Sequence, residues 1–283
     1  MKNNKAFSIF KKAYKENYAI GQFNFSVKEQ ASGIIKAAKE TKSSIILGTS
    51  EGESKFLGLK TAVAIKKILE EKLKFPIFLN LDHGKSFEYL KEAIIAGYDM
   101  VHFDGSGLDF KENIKITKKV VNFAKKKNIL VEGELGYLRG SSSIHKEKIE
   151  IKKEDMTSPE KAKEFVKKTN VDSLAVAIGN VHGIYAQNPC LDLDLLSKIK
   201  EKTKGTPLVL HGGSGISPNQ FKKAIKRGIV KININTEIRK AWRNGVEKSF
   251  KKNANEITPY KLLPKAIEEV QKIAYKKIKL FNN

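Results

Sequence analysis

Short apolar runs closed by Gly, Asn or Asp recur along the chain, separated by Lys- and Glu-rich stretches of helical length. Eight runs read as strands: 18–24, 43–49, 76–82, 99–104, 129–135, 173–179, 207–211 and 229–235. Parallel neighbours need a crossover of about a dozen residues or more, so regular strand–helix alternation predicts a parallel sheet. Eight such units within 283 residues fit a closed (β/α)8 barrel, the TIM-barrel architecture, better than an open sheet. No Pro/Ser-rich linker divides the chain, which reads as one domain over 1–283. An N-terminal helix at about 4–16 and a C-terminal helical extension after 258 flank the barrel. The longest stretch without periodicity, Gly136 to Pro159, follows the fifth strand and is expected to form a mobile lid.

Residues two apart on a strand share a face. Asn80 and Asp82, His102 and Asp104, Glu132 and Glu134, and Lys231, Asn233 and Asn235 therefore form four polar stripes. The opposite faces are Val, Ile, Leu or Phe apart from Gly133, as expected where helices cover the outside, so the polar members point into the barrel. Barrel interiors are normally filled by branched apolar side chains, and unpaired buried charge costs several kcal/mol, on the order of 3–5. Such grouped exceptions mark a functional site. Glu132 and Lys231 are expected to neutralise one another, with Lys231 too deep to meet a carbonyl at the mouth.

Composition changes this picture little. The chain carries 54 basic and 31 acidic residues, a net +23, but all except Arg139, Arg227, Arg239 and Arg243 of the basic residues are lysines scattered along helical stretches such as 60–74 and 111–127. That pattern reads as solvated helix faces and not as a nucleic-acid groove. The single cysteine, Cys190, excludes a disulfide framework and is expected to pack in the interior. The N-terminus lacks an apolar targeting segment and no run reaches the length of a membrane span, giving the expectation of a soluble cytoplasmic protein.

Three of the five histidines close strands or lie just beyond them: His83 in LNLDHG, His182 in AIGNVHG and His211 in PLVLHG. All reach the C-terminal mouth, and three imidazoles from different strand ends make the ligand set of an open catalytic zinc site. His102 reads as an interior partner and His145 lies on the lid. GGSG at 212–215 follows the seventh strand and NINT at 233–236 closes the eighth, where barrels hold phosphate through loop amides and a helix N-terminus. A divalent metal beside a phosphate cradle suits cleavage of a small phosphorylated carbonyl compound by aldol chemistry.

LDHG (81–84), FDGSGLDFKEN (103–113), VEGELG (131–136), GNVHG (179–183), VLHGGSGI (209–216) and KININTE (231–237) also resemble, in order, the motifs of the class II, metal-dependent ketose-bisphosphate aldolases. The resemblance implies a catalytic Zn2+ on His83, His182 and His211, with Asp82 exchanging a proton with the substrate's C4 hydroxyl. Asp104 and Glu134 would serve a second divalent metal position or orient the first, and a monovalent cation is a further cofactor to consider. Gly183, the loop Gly212, Gly213 and Ser214, and the segment Asn233, Ile234, Asn235 and Thr236 would hold dihydroxyacetone phosphate, Asn233 also steadying the enediolate. Ser50 matches a position that contacts the aldehyde half.

The implied reaction is reversible cleavage of fructose 1,6-bisphosphate to dihydroxyacetone phosphate and glyceraldehyde 3-phosphate by a homodimer or homotetramer. Tagatose 1,6-bisphosphate and a phosphorylated deoxy-ketogluconate are alternative substrates, and a non-catalytic nucleic-acid-binding barrel is the remote alternative. Three places depart from the family pattern. GYLRGSSSIHKE stands where a Gly-Gly-x-Glu-Asp-like stretch is common, leaving Glu147, His145 or another lid group as the substitute. Thr258, Pro259 and Tyr260 stand where an Asp-Pro-Arg is frequent, leaving the distal phosphate to Lys261, Arg139 or a neighbouring subunit. Asn80 and Gly107 replace frequent histidines.

Overall fold

The computed structural model describes residues 5–71, 73, 75–147, 149–186 and 190–282; residue 4, where the first helix was expected to start, lies outside them. The elements run α1 (Lys5–Glu16), β1 (Ile20–Asn24), α2 (Lys28–Thr41), β2 (Ile46–Ser50), α3 (Glu51–Leu57), α4 (Leu59–Glu70), β3 (Phe78–Gly84), α5 (Phe87–Ala96), β4 (Met100–Phe103), α6 (Phe110–Lys125) and β5 (Leu130–Leu135). They continue β6 (Gly140–Ile144), α7 (Pro159–Thr169), β7 (Ser173–Val176), β8 (His182–Ile184), α8 (Leu193–Thr203), β9 (Leu208–Leu210), α9 (Pro218–Lys226), β10 (Ile229–Ile234), α10 (Thr236–Lys252) and α11 (Pro259–Phe281). Eight strands close a parallel barrel in the order β1-β10-β9-β7-β5-β4-β3-β2, as the alternation predicts. Among the described residues no helix is long and apolar enough to cross a membrane.

The helices begin where short polar side chains satisfy the free N–H groups of a first turn. Ser86, Asp109, Ser158, Asp192 and Ser217 cap α5 to α9 in this way, and Pro159 and Pro218 follow their caps in the first turn. Outward residues such as Phe23, Leu47, Leu79, Val101, Val131 and Leu174 bury against this helical layer. At the N-terminal end of the barrel Ile20, Ile46, Phe78, Met100, Leu130 and Val230 form a separate apolar plug with Ala6, Phe10 and Ala13 of α1. That plug explains the helix ahead of the first strand: it covers an otherwise open barrel floor.

Three expectations are corrected. The segment after β5 is not irregular throughout: β6 pairs in parallel with β8, and Arg139 bonds both carboxylate oxygens of Asp155. Its serine-rich strand has solvent on its outer side and no apolar alternation to betray it. Cys190 is exposed and not packed inside. The sixth barrel strand also stops at Val176, short of the expected 179, because the chain bends through Gly179 at φ +100° and Asn180 Oδ1 takes the Ile178 N–H.

Candidate active site

The inward stripes climb from apolar to ionic within four residues: Phe78, Asn80, Asp82 on β3; Met100 and His102 on β4, then Asp104; Leu130, Glu132, Glu134 on β5. Every one of these polar groups is buried. Lys231 and Glu132, both fully buried, meet at 2.7 Å, as expected, and the other Glu132 oxygen lies 2.7 Å from His211 Nε2. Burial alone would raise the Glu132 carboxyl; Lys231 and His211 outweigh it and hold the group well below the usual carboxylate range.

These contacts fix the ring tautomers. Glu132 claims the proton on His211 Nε2, and Asp104 Oδ2 claims the proton on His83 Nδ1 at 2.9 Å. The two remaining ring nitrogens, His211 Nδ1 and His83 Nε2, then face each other across 3.0 Å, a gap that a proton on His83 or a shared cation can bridge. Facing lone pairs repel unless a positive charge lies between them. Two nitrogen ligands of a tetrahedral ion at about 2.0–2.1 Å would stand roughly 3.3 Å apart, so the arrangement fits a metal. His83 also sits in the left-handed region at φ +52°, a strained backbone at the point where the ring turns into the mouth.

The third imidazole is nearby but less convergent. His182 opens β8, with its ring 4.8 Å from that of His83 and 6.3 Å from that of His211, edge-on to both. The donor sets that lie within 4.8 Å of one another are instead Asp82, His83, His102 and His211, and His83, Asp104 and Glu134. His102 keeps its interior role: its Nδ1 accepts the His83 backbone N–H, leaving Nε2 3.0 Å from Glu134 Oε2. Burial first, then the neighbouring rings, lower the pKa of His182 and His211 and keep them neutral, the state a metal requires. His83 is raised, because Asp82 and Asp104 outweigh its burial.

Asp82 stands at the centre. Its Oδ1 accepts from Asn233 Nδ2 and its Oδ2 from Asn24 Nδ2, each at 3.0 Å. Burial would raise its pKa, but His83, His102, His211 and Lys231 carry it well below the ordinary value, so it is ionised. Asn233 and Asn235 each keep a buried side-chain oxygen without a partner. Orphaned acceptors beside a cavity suit the hydroxyl groups of a polar ligand.

A cavity of about 250 Å³ opens over this cluster. Of the expected substrate residues, Ser50, Gly183, Gly212, Ser214, Asn233, Asn235 and Thr236 line it. Gly212 sits at φ +60°, where a Cβ would come within 2.0 Å of the Val181 carbonyl oxygen, so only glycine admits this approach of loop to loop. Gly183, at φ +112°, would drive a Cβ into the Ser141 oxygen and the His145 ring. The positive end of α10 begins at Thr236, beside that loop. Gly213 and Ile234 are not on the wall: the Gly213 N–H donates to the Asn233 backbone oxygen, and Ile234 is fully buried in the apolar core.

Asp104 and Glu134 line a neighbouring cavity with His83 and Lys85, whose Nζ bonds Asp104. The lid brings Ser142 to both cavities. Glu147 is exposed, and the His145 ring stacks on Tyr185 at 4.6 Å. Arg139 is held by Asp155, and Lys261 lines a separate hollow beside Glu256. Neither therefore reaches the cavity.

Three residues at this site escaped the sequence reading. Asn24 was legible from the inward parity of β1, which brings Gln22 and Asn24 to one face. Glu53 was readable as the third residue of a Ser-x-x-Glu capping box on Ser50. Arg239 lines the cavity one turn into α10 and carries no motif of its own.

The family model described as fructose-bisphosphate aldolase class-II matches residues 4–283. A fructose-bisphosphate aldolase of Geobacillus stearothermophilus is 38% identical over 280 residues, covering 97% of this chain and 95% of its own. A 6-phospho-5-dehydro-2-deoxy-D-gluconate aldolase of Shouchella clausii is 41% identical over 272 residues, covering 95% and 91%. The crystal structure of the YdjI aldolase from Escherichia coli K12 superposes with a TM-score of 0.83 at 33% identity, over 98% of this chain and 96% of its own. The chain therefore belongs to the class II fructose-bisphosphate aldolases, a family of metal-dependent aldehyde-lyases.

Proposed function

We propose that the chain cleaves fructose 1,6-bisphosphate reversibly to dihydroxyacetone phosphate and glyceraldehyde 3-phosphate, with a Zn2+ ion held by His83, His182 and His211. The observation that carries the reading is the pairing of Asp82, ionised and fixed by Asn24 and Asn233, with the facing nitrogens of His83 and His211 directly beside it. His182, whose ring lies 4.8 Å from that of His83, would be the third ligand. When bound, the ion supplies an electrophile for the substrate's C2 carbonyl.

The chain's own groups do the rest. The small-residue loop at Gly212 and Ser214, Gly183 and the N-terminus of α10 receive the phosphate of the three-carbon half. Asp82 accepts the C4 hydroxyl proton as the C3–C4 bond breaks, C4 becoming the aldehyde carbon and the bond's electron pair passing toward C2. Asn233, which lines the cavity and donates to Asp82, would steady the charge that develops on the three-carbon half. Asp104 orients the His83 ring through Nδ1, and with Glu134 offers a position for a second divalent ion. Ser50 and Arg239 take the aldehyde half, the guanidinium standing in for the arginine that the C-terminal Thr258-Pro259-Tyr260 segment lacks. The working form is a cytoplasmic homodimer or homotetramer; exposed Phe250 of α10, Ile257 of the connection and Tyr260 of α11 support association.

A second reading, cleavage of a phosphorylated deoxy-ketogluconate, is favoured by the 41% identity to the Shouchella clausii enzyme. Its far end carries a carboxylate where fructose 1,6-bisphosphate carries phosphate. Assay of the zinc-loaded protein with fructose 1,6-bisphosphate, tagatose 1,6-bisphosphate and the phosphorylated deoxy-ketogluconate decides. The largest kcat/KM is expected for fructose 1,6-bisphosphate; inertness toward it with turnover of another overturns the leading reading.

A further inference from the structure

One carboxylate holds most of the aldehyde side of the cavity together, and the function proposed above assigns it no part. Glu53 is buried to 6% exposure in the first turn of α3. Its Oε1 accepts from Arg239 Nη2 at 2.6 Å and from Asn235 Nδ2 at 3.2 Å. Its Oε2 accepts from the Ser50 backbone N–H at 2.7 Å and from Asn24 Nδ2 at 3.1 Å. Ser50, Asn235 and Arg239 all line the cavity, while Asn24 carries the network on to Asp82.

All four partners donate. Only a group with two acceptor oxygens meets them, and a glutamine in its place would turn an N–H2 against donors. Arg239 is further held by the bond from Nη1 to the Ser142 oxygen of β6. Those two contacts engage two of about five guanidinium N–H donors, and the side chain lines the cavity. The side chain is 43% exposed, so without Glu53 nothing comparable would oppose its freedom.

We infer that Glu53 is the positioning residue for an anion clamp at the aldehyde end of the cavity: it fixes Arg239 so that the remaining guanidinium donors meet the terminal anionic group of the substrate. The inference rests on the aldolase reading, and it adds that discrimination for a substrate with a charged far end originates in the Glu53–Arg239 pair. Discrimination should therefore appear as affinity for the second anion and not in the rate of bond cleavage.

The test compares fructose 1,6-bisphosphate with fructose 1-phosphate, which lacks only the far phosphate, in the wild type, Glu53→Gln, Arg239→Gln and the double variant. The expected result is a fall of about ten- to a hundredfold in the KM preference for the bisphosphate in either single variant, the loss of a charge-assisted contact. The double variant should lose no more of that preference than either single one. An unchanged preference, an equal loss of kcat on both substrates, or additive losses would overturn the inference. If Glu53→Gln does not fold, Arg239→Gln decides, since a preference that survives it refutes the clamp. Calorimetric binding of the two sugars to protein with and without metal gives a readout independent of turnover. A wild type that binds both yet cleaves neither would fail the aldolase reading while still testing the pair.

Discussion

The two ends of one barrel are built from the same strands and do opposite work. At the floor, Ile20, Ile46, Phe78, Met100 and Leu130 close against Phe10 of α1 in a wholly apolar plug. Four residues further along β1, β3 and β5, the corresponding inward positions are Asn24, Asp82 and Glu134, every one of them buried and polar. The difference teaches where stability and chemistry are separated. The plug supplies non-directional burial that tolerates no charge, whereas the mouth holds ionised groups whose desolvation is offset by partners fixed to a few tenths of an ångström.

Substitutions at the two ends should therefore fail differently. Asp82→Ala should cut cleavage by about 10²–10⁴-fold while leaving the melting temperature within a few degrees, because a proton acceptor is lost and no apolar burial. Steady-state assay beside thermal melting checks this; a collapse of stability with proportionate loss of activity would erase the distinction. Phe10→Ala is the mirror experiment. A fully buried ring removed from the floor should cost about 3–5 kcal/mol in denaturant unfolding, with kcat of the folded enzyme nearly unchanged.

The midpoint between the ends is the Lys231–Glu132 pair, which sharpens the comparison. Lys231→Met leaves Glu132 buried without its cation and should destabilise by about 3–5 kcal/mol, and adding Glu132→Gln should recover most of that. Equal instability of the single and double variants in urea melts would show that shape, not charge, matters there. The smallest effect is on acid stability. The folded pKa of Glu132 is depressed, so its contribution is present above the unfolded value of about 4.3 and is lost as pH falls below it. In Glu132→Gln the stability curve from about pH 4.5 downward should be shallower by no more than about 1.4 kcal/mol per pH unit; an identical slope would contradict the assignment.

Most of this architecture was legible in the residues. The alternation of apolar runs with Lys-rich helices located all eight barrel strands, because parallel strands covered on the outside must be apolar there and leave the inward positions to declare themselves. The Glu132–Lys231 pair followed from parity alone. What escaped lies outside any period. The β6 strand of the β6–β8 ribbon is serine-rich and mostly exposed, and Gly213 and Ile234 sit inside a recognisable motif yet do not line the cavity. Arg239 and Glu53 are joined across 186 positions of chain, a distance over which no local pattern speaks.

Bound metal measured together with cleavage tests the central claim most directly. Zinc-loaded protein should hold a tight ion whose removal by chelator abolishes cleavage and whose return restores it, and His83→Ala and His211→Ala should each lose both ion and activity. Full cleavage after the ion is removed, or undiminished zinc retention in both variants, would contradict the account.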